Sequence, residues 1–408
     1  RFWKLAESNN NEVVQLLDAR LADCLQRCFR LSAPIYEPED VAWFLAGHAR
    51  EALLQVGHSS PKALADIAQA LTRMLGVGLS GEKGKHFFQS TLVQTLFYGL
   101  FSAWVLWVRK GKRGAFSWRD TTELLHLPML RVLFHEMTRP TDLFTKSLQK
   151  RLDLAEAILN RVDTTEFFHR FLEDEAVEYF YEPFLEAFDP ELRKELGVWY
   201  TPREVVTYIV ERVDRSLRED LGIKKGLADK DVVILDPCCG TGTFLVAVLR
   251  RIAKTLAEAG DETTVAAHVA KAASTRVFGF EILPAPFVVA HLQVGLYLNE
   301  LGIAEPNRSA IYLTNSLTGW DIPQDGGKEK QIKIQELQQE RTRANKIKRK
   351  TKILVILGNP PYNAFAGVQP DEELESVTVY KEDLVKRWKI KKFNLDDLYV
   401  RFFRLAER

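Results

Sequence analysis

A chain of 408 residues with 46% hydrophobic residues can bury substantial cores and has room for two or three domains. Its 56 Lys and Arg balance 55 Asp and Glu to a net charge of +1, so overall electrostatics neither require nor exclude nucleic acid and local patches must carry any such role. The four cysteines fall as Cys24 with Cys28 and Cys238 with Cys239. This suits a reducing cytoplasm better than a disulfide framework, and no second CxxC or clustered histidine argues for zinc. No secretory signal pattern opens the chain, which begins Arg1-Phe2-Trp3-Lys4 and is expected to be a piece of a longer protein.

Residues 1–162 read as a helical domain. Asn9 with Glu12 resembles a capping box, and Val13, Leu16, Leu17, Leu21 and Leu25 follow at helical spacing. Further helices are predicted at about 38–56, 61–76, 86–109, 118–138 and 142–162, with Pro34, Pro38, Pro61, Gly76, Gly78 and Pro140 at the breaks. The most apolar window, Leu96 to Val108, is too short to span a bilayer and predicts a buried core helix. The run Gly78 to His86 is not a phosphate loop, because the spacing is one residue too long and His86 stands where Ser or Thr should follow the lysine. A scaffold role and contact with DNA or a neighbouring domain both remain open for this segment. Tyr179, Phe180, Tyr181, Phe184 and Phe188 are expected to pack between the helices and the sheet that follows.

From Tyr200 the pattern changes to α/β. Thr201 is a plausible N-cap with Pro202 at the first helical position and Glu204 beyond, opening a helix through Val205, Val206, Ile209, Val210, Val213 and Leu217. Val232 to Leu235 form a buried parallel strand ending in Asp236-Pro237, and Cys238-Cys239-Gly240-Thr241-Gly242-Thr243 then turns into the helix starting at Phe244. Gly240 and Gly242 permit close backbone approach, and the amides of the following helix start favour a small ligand with a carboxylate. Alone, such a turn equally fits an ordinary strand-to-helix connection. The Asp-Pro and the missing third glycine point away from a dinucleotide and towards S-adenosylmethionine.

A second strand, Arg276 to Phe280, ends in Glu281. That carboxylate is placed to accept from both ribose hydroxyls, with Ile282 against the adenine ring of the cofactor. A third strand over Ala310 to Thr314 delivers Asn315. Lys328 to Lys352 hold ten Lys or Arg against three Glu, which reads equally as a solvated face or as a surface following a phosphate backbone, with Lys346, Lys348, Arg349 and Lys350 as candidates. A fourth strand, Ile353 to Leu357, carries Gly358-Asn359-Pro360-Pro361-Tyr362-Asn363 to the sheet edge where open α/β folds place ligands.

Asp-Pro-Cys-Cys-Gly-Thr-Gly followed by Asn-Pro-Pro-Tyr resembles the motifs of the amino-group, adenine-N6 DNA methyltransferases. With Tyr200-Thr201-Pro202 ahead of them, the order is similar to the gamma class. Tyr181-Glu182-Pro183-Phe184 and Gly197-Val198-Trp199-Tyr200-Thr201-Pro202 are most similar to the methylase part of type ISP, single-polypeptide restriction-modification enzymes.

The resemblance implies a doubly wound, Rossmann-like methyltransferase domain over 163–408 behind an all-α domain over 1–162. It implies a cofactor site of Tyr200, Thr201, Pro202, Asp236, Pro237, Cys238, Gly240, Gly242, Thr243, Glu281, Ile282 and Asn315. In that site Tyr200-Thr201-Pro202 folds over the methionine end, and Asn315 meets the adenine amino group. The catalytic set is Asn359, Pro360, Pro361 and Tyr362. Tyr362 stacks on a flipped target adenine, with Phe365 as a further aromatic.

The expected partner is double-stranded DNA, with restriction or defence subunits or a target-recognition domain outside these residues. The sheet is expected to end with an open edge after the catalytic strand. A methyltransferase of RNA or protein glutamine, and a non-catalytic methylase-fold subunit, are the alternatives. No metal, nuclease or motor site is expected.

Overall fold

The computed structural model describes residues 34–58, 62–76, 81–124, 143–171, 180–189, 201–260, 264–303, 308–321, 332–361, 377–389 and 397–407, with single positions at 127, 130, 131, 134 and 395. The expected first helix with Asn9, Cys24 and Cys28 lies outside the described residues, as do Gly78, Tyr179, Tyr200, Tyr362, Asn363 and Phe365.

The helical part comprises α1 (Pro38–His58), α2 (Lys62–Leu75), α3 (Gly81–Arg109), the short α4 (Thr121–Leu124), α5 (Leu143–Leu159), α6 (Thr164–Arg170) and α7 (Glu182–Phe188). Asp163 caps α6 through the amides of Thr165 and Glu166. The segment predicted as one helix over 118–138 instead opens with a 3-10 turn at Trp118–Asp120, capped by Ser117, before α4. Glu156 and Asp153 of α5 tie that turn down, accepting from Trp118 N at 2.8 Å and Trp118 Nε1 at 2.7 Å.

Helix α3 is long and apolar enough to cross a membrane, yet 83% of its apolar window is buried in the protein. It is the expected core helix. Tyr98 and Phe101 pack on the aromatics of the segment around α7: Phe101 stacks on Phe180 at 3.5 Å, and Tyr98 contacts Tyr181 and Phe184. The Tyr98 hydroxyl donates to the Tyr181 carbonyl, which meets the need of a buried phenol for a partner.

The α/β part runs α8 (Arg203–Glu219), β1 (Ile234–Asp236), α9 (Thr243–Glu258), α10 (Val265–Thr275), β2 (Val277–Glu281), α11 (Pro284–Glu300), β3 (Ile311–Leu313), α12 (Gln335–Lys350) and β4 (Val355–Ile356). Helices α13 (Thr378–Trp388) and α14 (Leu398–Glu407) follow. The strands form one parallel sheet in the order β3-β2-β1-β4, with Ile234 opposite both Val277 and Val355 and Gly279 opposite Ile311. All three β1 residues and all five of β2 are buried, as continuous apolar strands covered on both faces require. Among the described residues β4 pairs only with β1.

Helix α11 is buried along nearly its whole length, from Pro284 to Leu298. One side meets β3 and β2 and another meets α3, so one apolar cluster runs without a break from Ile35 to Leu357.

Candidate active site

Parallel β-strands present their C-terminal ends on one edge of a sheet, and there the loops after β1, β2, β3 and β4 converge. The first closes as a tight turn. Gly242 N donates to Cys239 O at 2.7 Å, and Gly240 and Gly242 hold φ of 53° and 92°, conformations open to glycine at little cost. A side chain at Gly240 would point into open space, whereas one at Gly242 would come within 3.1 Å of Ala290 on α11. The first glycine therefore leaves the space beyond it clear, and the second lets α9 start against α11.

Two carboxylates organise this edge. Glu281, 7% exposed at the end of β2, accepts from Gly240 N with Oε2 at 2.8 Å and from Ile282 N and Leu283 N with Oε1 at 2.8 Å each. An ionised carboxylate oxygen offers two acceptor positions. Oε1 is filled, and Oε2 has room for one hydroxyl. Holding both ribose hydroxyls, as expected from sequence, requires the Gly240 amide to give way.

Asp236, 1% exposed, accepts from Cys238 N with Oδ1 at 3.0 Å, while its Oδ2 is buried without a partner. An orphaned buried carboxylate oxygen costs free energy until a donor arrives. The ammonium of a methionine moiety is such a donor. Burial pushes both acids up, Asp236 from 3.8 to about 7 and Glu281 from 4.5 to about 7. The charge of Glu281 also raises Asp236. The orphaned oxygen, the open space at Gly240 and the amides opening α9 together fit the cofactor inferred from sequence.

The loop after β4 joins this arrangement through Gly358, where a Cβ would lie 2.4 Å from Asp236 Oδ1. A side chain at this position would force the Asp236 carboxylate to move. Asn359 Nδ2 donates to Thr201 Oγ1 at 3.0 Å, which turns the amide oxygen to the opposite side. This bond brings the segment before α8 and the segment after β4 together across 158 positions of sequence.

Thr201 is not the cap predicted from sequence. Pro202 occupies the N-cap position with ψ 139°, and no side chain caps α8. The hydroxyl that a cap would use is turned to Asn359 instead. Pro237 accepts from the Ser316 hydroxyl of the loop after β3, and Pro360 and Pro361 are partly buried beside Asn359. Thr243 opens α9, with its hydroxyl 3.5 Å from that of Thr241.

Asn315 is buried. Its Oδ1 accepts from Leu317 N at 2.9 Å and its Nδ2 donates to Leu75 O, the last carbonyl of α2, at 3.1 Å. In this structure the amide ties the loop after β3 to the helical part. Lys348, one of the candidate phosphate contacts, does not face outward. It is buried, and its Nζ donates to Thr314 Oγ1 at 2.8 Å, Asn315 O at 2.6 Å and Thr318 O at 2.8 Å. Three short acceptors inside the fold satisfy the ammonium, so it is not available to DNA. Arg349 likewise donates to Gly319 O at 3.0 Å. Gly358, Ser316 and Lys348 were not singled out as site builders. A Gly ahead of the asparagine was the one signal available, because nothing in a run of cations marks the one that turns inward.

The strand order, the glycine turn after β1, the acid after β2 and the asparagine after β4 define the fold of the S-adenosylmethionine-dependent methyltransferases, here preceded by helices. The model of the N-6 DNA methylase family matches residues 173–388, and the chain belongs to that family.

Among solved structures it is similar to the DrdV-DNA complex (TM-score 0.63, 20% identity, 90% of this chain and 33% of that one). It is also similar to the ATP-dependent type ISP restriction-modification enzyme LlaBIII bound to DNA (TM-score 0.62, 20% identity, 90% and 23%). A third is a nuclease-deletion mutant of the type ISP enzyme LlaGI in complex with a DNA substrate mimic (TM-score 0.59, 19% identity, 96% and 30%). The chain thus spans between about a quarter and a third of the length of these chains. No curated protein matches the sequence.

Proposed function

We propose that the protein is a site-specific DNA adenine-N6 methyltransferase using S-adenosylmethionine, the methylase part of a larger cytoplasmic restriction-modification or phage-defence enzyme. The observation that carries this reading is the Thr201–Asn359 hydrogen bond, which gathers the methylase motifs at the sheet edge beside Asp236.

The amino nitrogen of adenine is a poor nucleophile because its lone pair is delocalised into the ring. The Asn359 side-chain oxygen and the Pro360 carbonyl accept its two N–H bonds and draw it towards tetrahedral geometry. The proline rings hold that carbonyl rigid. Tyr362 stacks on the flipped base. The bound cofactor supplies an electrophilic methyl group on a sulfonium, and Asp236, Glu281 and the glycine turn hold it. Tyr200, Thr201 and Pro202 close over its methionine end, with Ile282 on the adenine side; Asn315 joins it there only by exchanging its bond to Leu75 O. A helical domain over 1–162, with α6 and α7 packed on it, a methyltransferase domain in the rest of 163–408 and a target-recognition domain elsewhere in the intact enzyme complete the proposal.

Tritiated methyl transfer to unmodified DNA, RNA and protein, side by side, tests it. Incorporation into N6-methyladenine of DNA is expected. Incorporation into RNA or glutamine alone favours the closest rival, and none into any substrate by the intact enzyme favours a non-catalytic subunit.

The acid pair makes cofactor binding pH-dependent. Asp236 and Glu281 titrate in the folded protein near 7, above their ordinary values. The cofactor-free fold therefore holds protons that the unfolded chain has released, and this contribution to stability declines as pH rises from about 4 to about 7. An ammonium ligand needs Asp236 ionised, so affinity moves the other way and rises between pH 6 and pH 8. Calorimetric titration at the two values is the check. Equal affinity at both excludes Asp236 as the ammonium acceptor.

A further inference from the structure

Helix α12 is two-faced. Leu337, Glu340, Ala344, Asn345 and Lys348 are buried, and Lys348 holds the loop after β3 by its ammonium. The ammonium of Lys348 thus reaches the loop after β3 from a helix whose last turns cross the sheet face, with Ile347 beside Val233, Leu235 and Ile353, before the chain enters β4. On the outer face Arg343, Lys346 and Lys350 are exposed. They recur at the i, i+3, i+7 spacing that lines up one face of a helix. Among the described residues none of the three has an ion-pair partner. The acids of the helix do not offset them: Glu340 is buried against Arg308, at 2.6 Å, and Glu336 is in the first turn.

Cations in a last helical turn can simply complement the helix dipole. That accounts for Lys350 but not for Arg343 and Lys346, which precede the last turn. Lys352, exposed just beyond the helix, extends the line towards β4.

We infer that the outer face of α12 tracks the phosphate backbone of duplex DNA, with Arg343, Lys346 and Lys350 as the contacts. The inference rests on the DNA methyltransferase reading and adds to it a surface for the substrate backbone. Phosphate contacts fix the position of the duplex without reading its sequence. A helix whose inner lysine sets the loop after β3 thereby couples the position of the backbone to the site's own walls.

The test is the salt dependence of duplex DNA binding by the full chain, read by fluorescence anisotropy on a labelled duplex, with tritiated methyl transfer to DNA measured alongside. The triple variant R343Q/K346Q/K350Q is compared with wild type and with K224Q/K225Q/K230Q. The latter removes three exposed cations from the loop between α8 and β1, outside α12.

Each lost phosphate contact lowers the slope of log affinity against log salt by about 0.9. The α12 variant is expected to lose about 2 to 3 from the slope, with its thermal midpoint and cofactor affinity unchanged and the control variant unaffected. An unchanged slope in the α12 variant overturns the inference and leaves the methyltransferase reading standing, provided wild type methylates DNA. Equal losses in both variants overturn it in favour of net charge alone. A wild-type chain with no salt-dependent DNA affinity removes the surface, and absence of methyl transfer to DNA removes the functional reading independently.

Discussion

Asn359→Ala abolishes methyl transfer, lowering turnover by about 10³-fold, while folding and most of the cofactor affinity are retained. The magnitude follows the loss of a preorganised polar group that acts only as charge develops in the transition state. Retention of the fold follows from the structure. The Asn359 side chain is partly buried in the loop after β4 and bonds to the Thr201 hydroxyl, outside the continuous apolar cluster. Most of the cofactor affinity is retained because Asp236, Glu281 and the glycine turn do not depend on the amide, and only the Thr201 hydroxyl loses its partner. Equilibrium binding and single-turnover methylation measured on the same preparation separate the two effects. Turnover near wild type would sink the proposed mechanism, and a parallel loss of cofactor affinity would place Asn359 in the cofactor site instead.

Glu281→Ala weakens S-adenosylmethionine binding by about 3 kcal/mol, roughly 100-fold or more. One ribose hydroxyl loses a charged acceptor. The amides of Gly240, Ile282 and Leu283 lose theirs at the same time, so the turn that shapes the pocket loosens with it. Glu281→Gln is expected to be almost as weak a binder. Its amide nitrogen must face either Gly240 N or the pair Ile282 N and Leu283 N, and a donor opposite a donor stabilises nothing. Isothermal calorimetry on both variants is the measurement. Unchanged affinity in the alanine variant removes Glu281 from the site, and tight binding by the glutamine variant shows that the charge is not required.

The parallel strands were legible in the sequence because burial on both faces writes them as unbroken apolar runs. Each of the four was expected within a few residues of its place. Asp236, Glu281 and Asn359 were legible for a related reason, since the first two close their strands and the third follows β4 within three residues. What sequence could not show is partnership between distant segments. Thr201 carries every local mark of a helix cap, and only the fold reveals that its hydroxyl serves Asn359. Lys348 is indistinguishable by composition from Lys346, yet helical phase buries one against three acceptors and leaves the other in water. The side chain of Asn315 reaches Leu75 across 240 positions, a span over which no periodicity speaks.

Helix α11 lacks the solvent-facing stripe that a helix on the outside of a doubly wound sheet ordinarily keeps, because α3 lies against it. The helical segment is therefore not an appendage that evolution can exchange as a cassette. Variation on the buried face of α3 that meets α11 must be answered by compensating variation on α11, and a hybrid joining these helices to another enzyme's sheet inherits a mismatched interior rather than a new surface. Shuffling among such enzymes is tolerated where segments meet in water, and here that point lies outside the helical part and the sheet taken together.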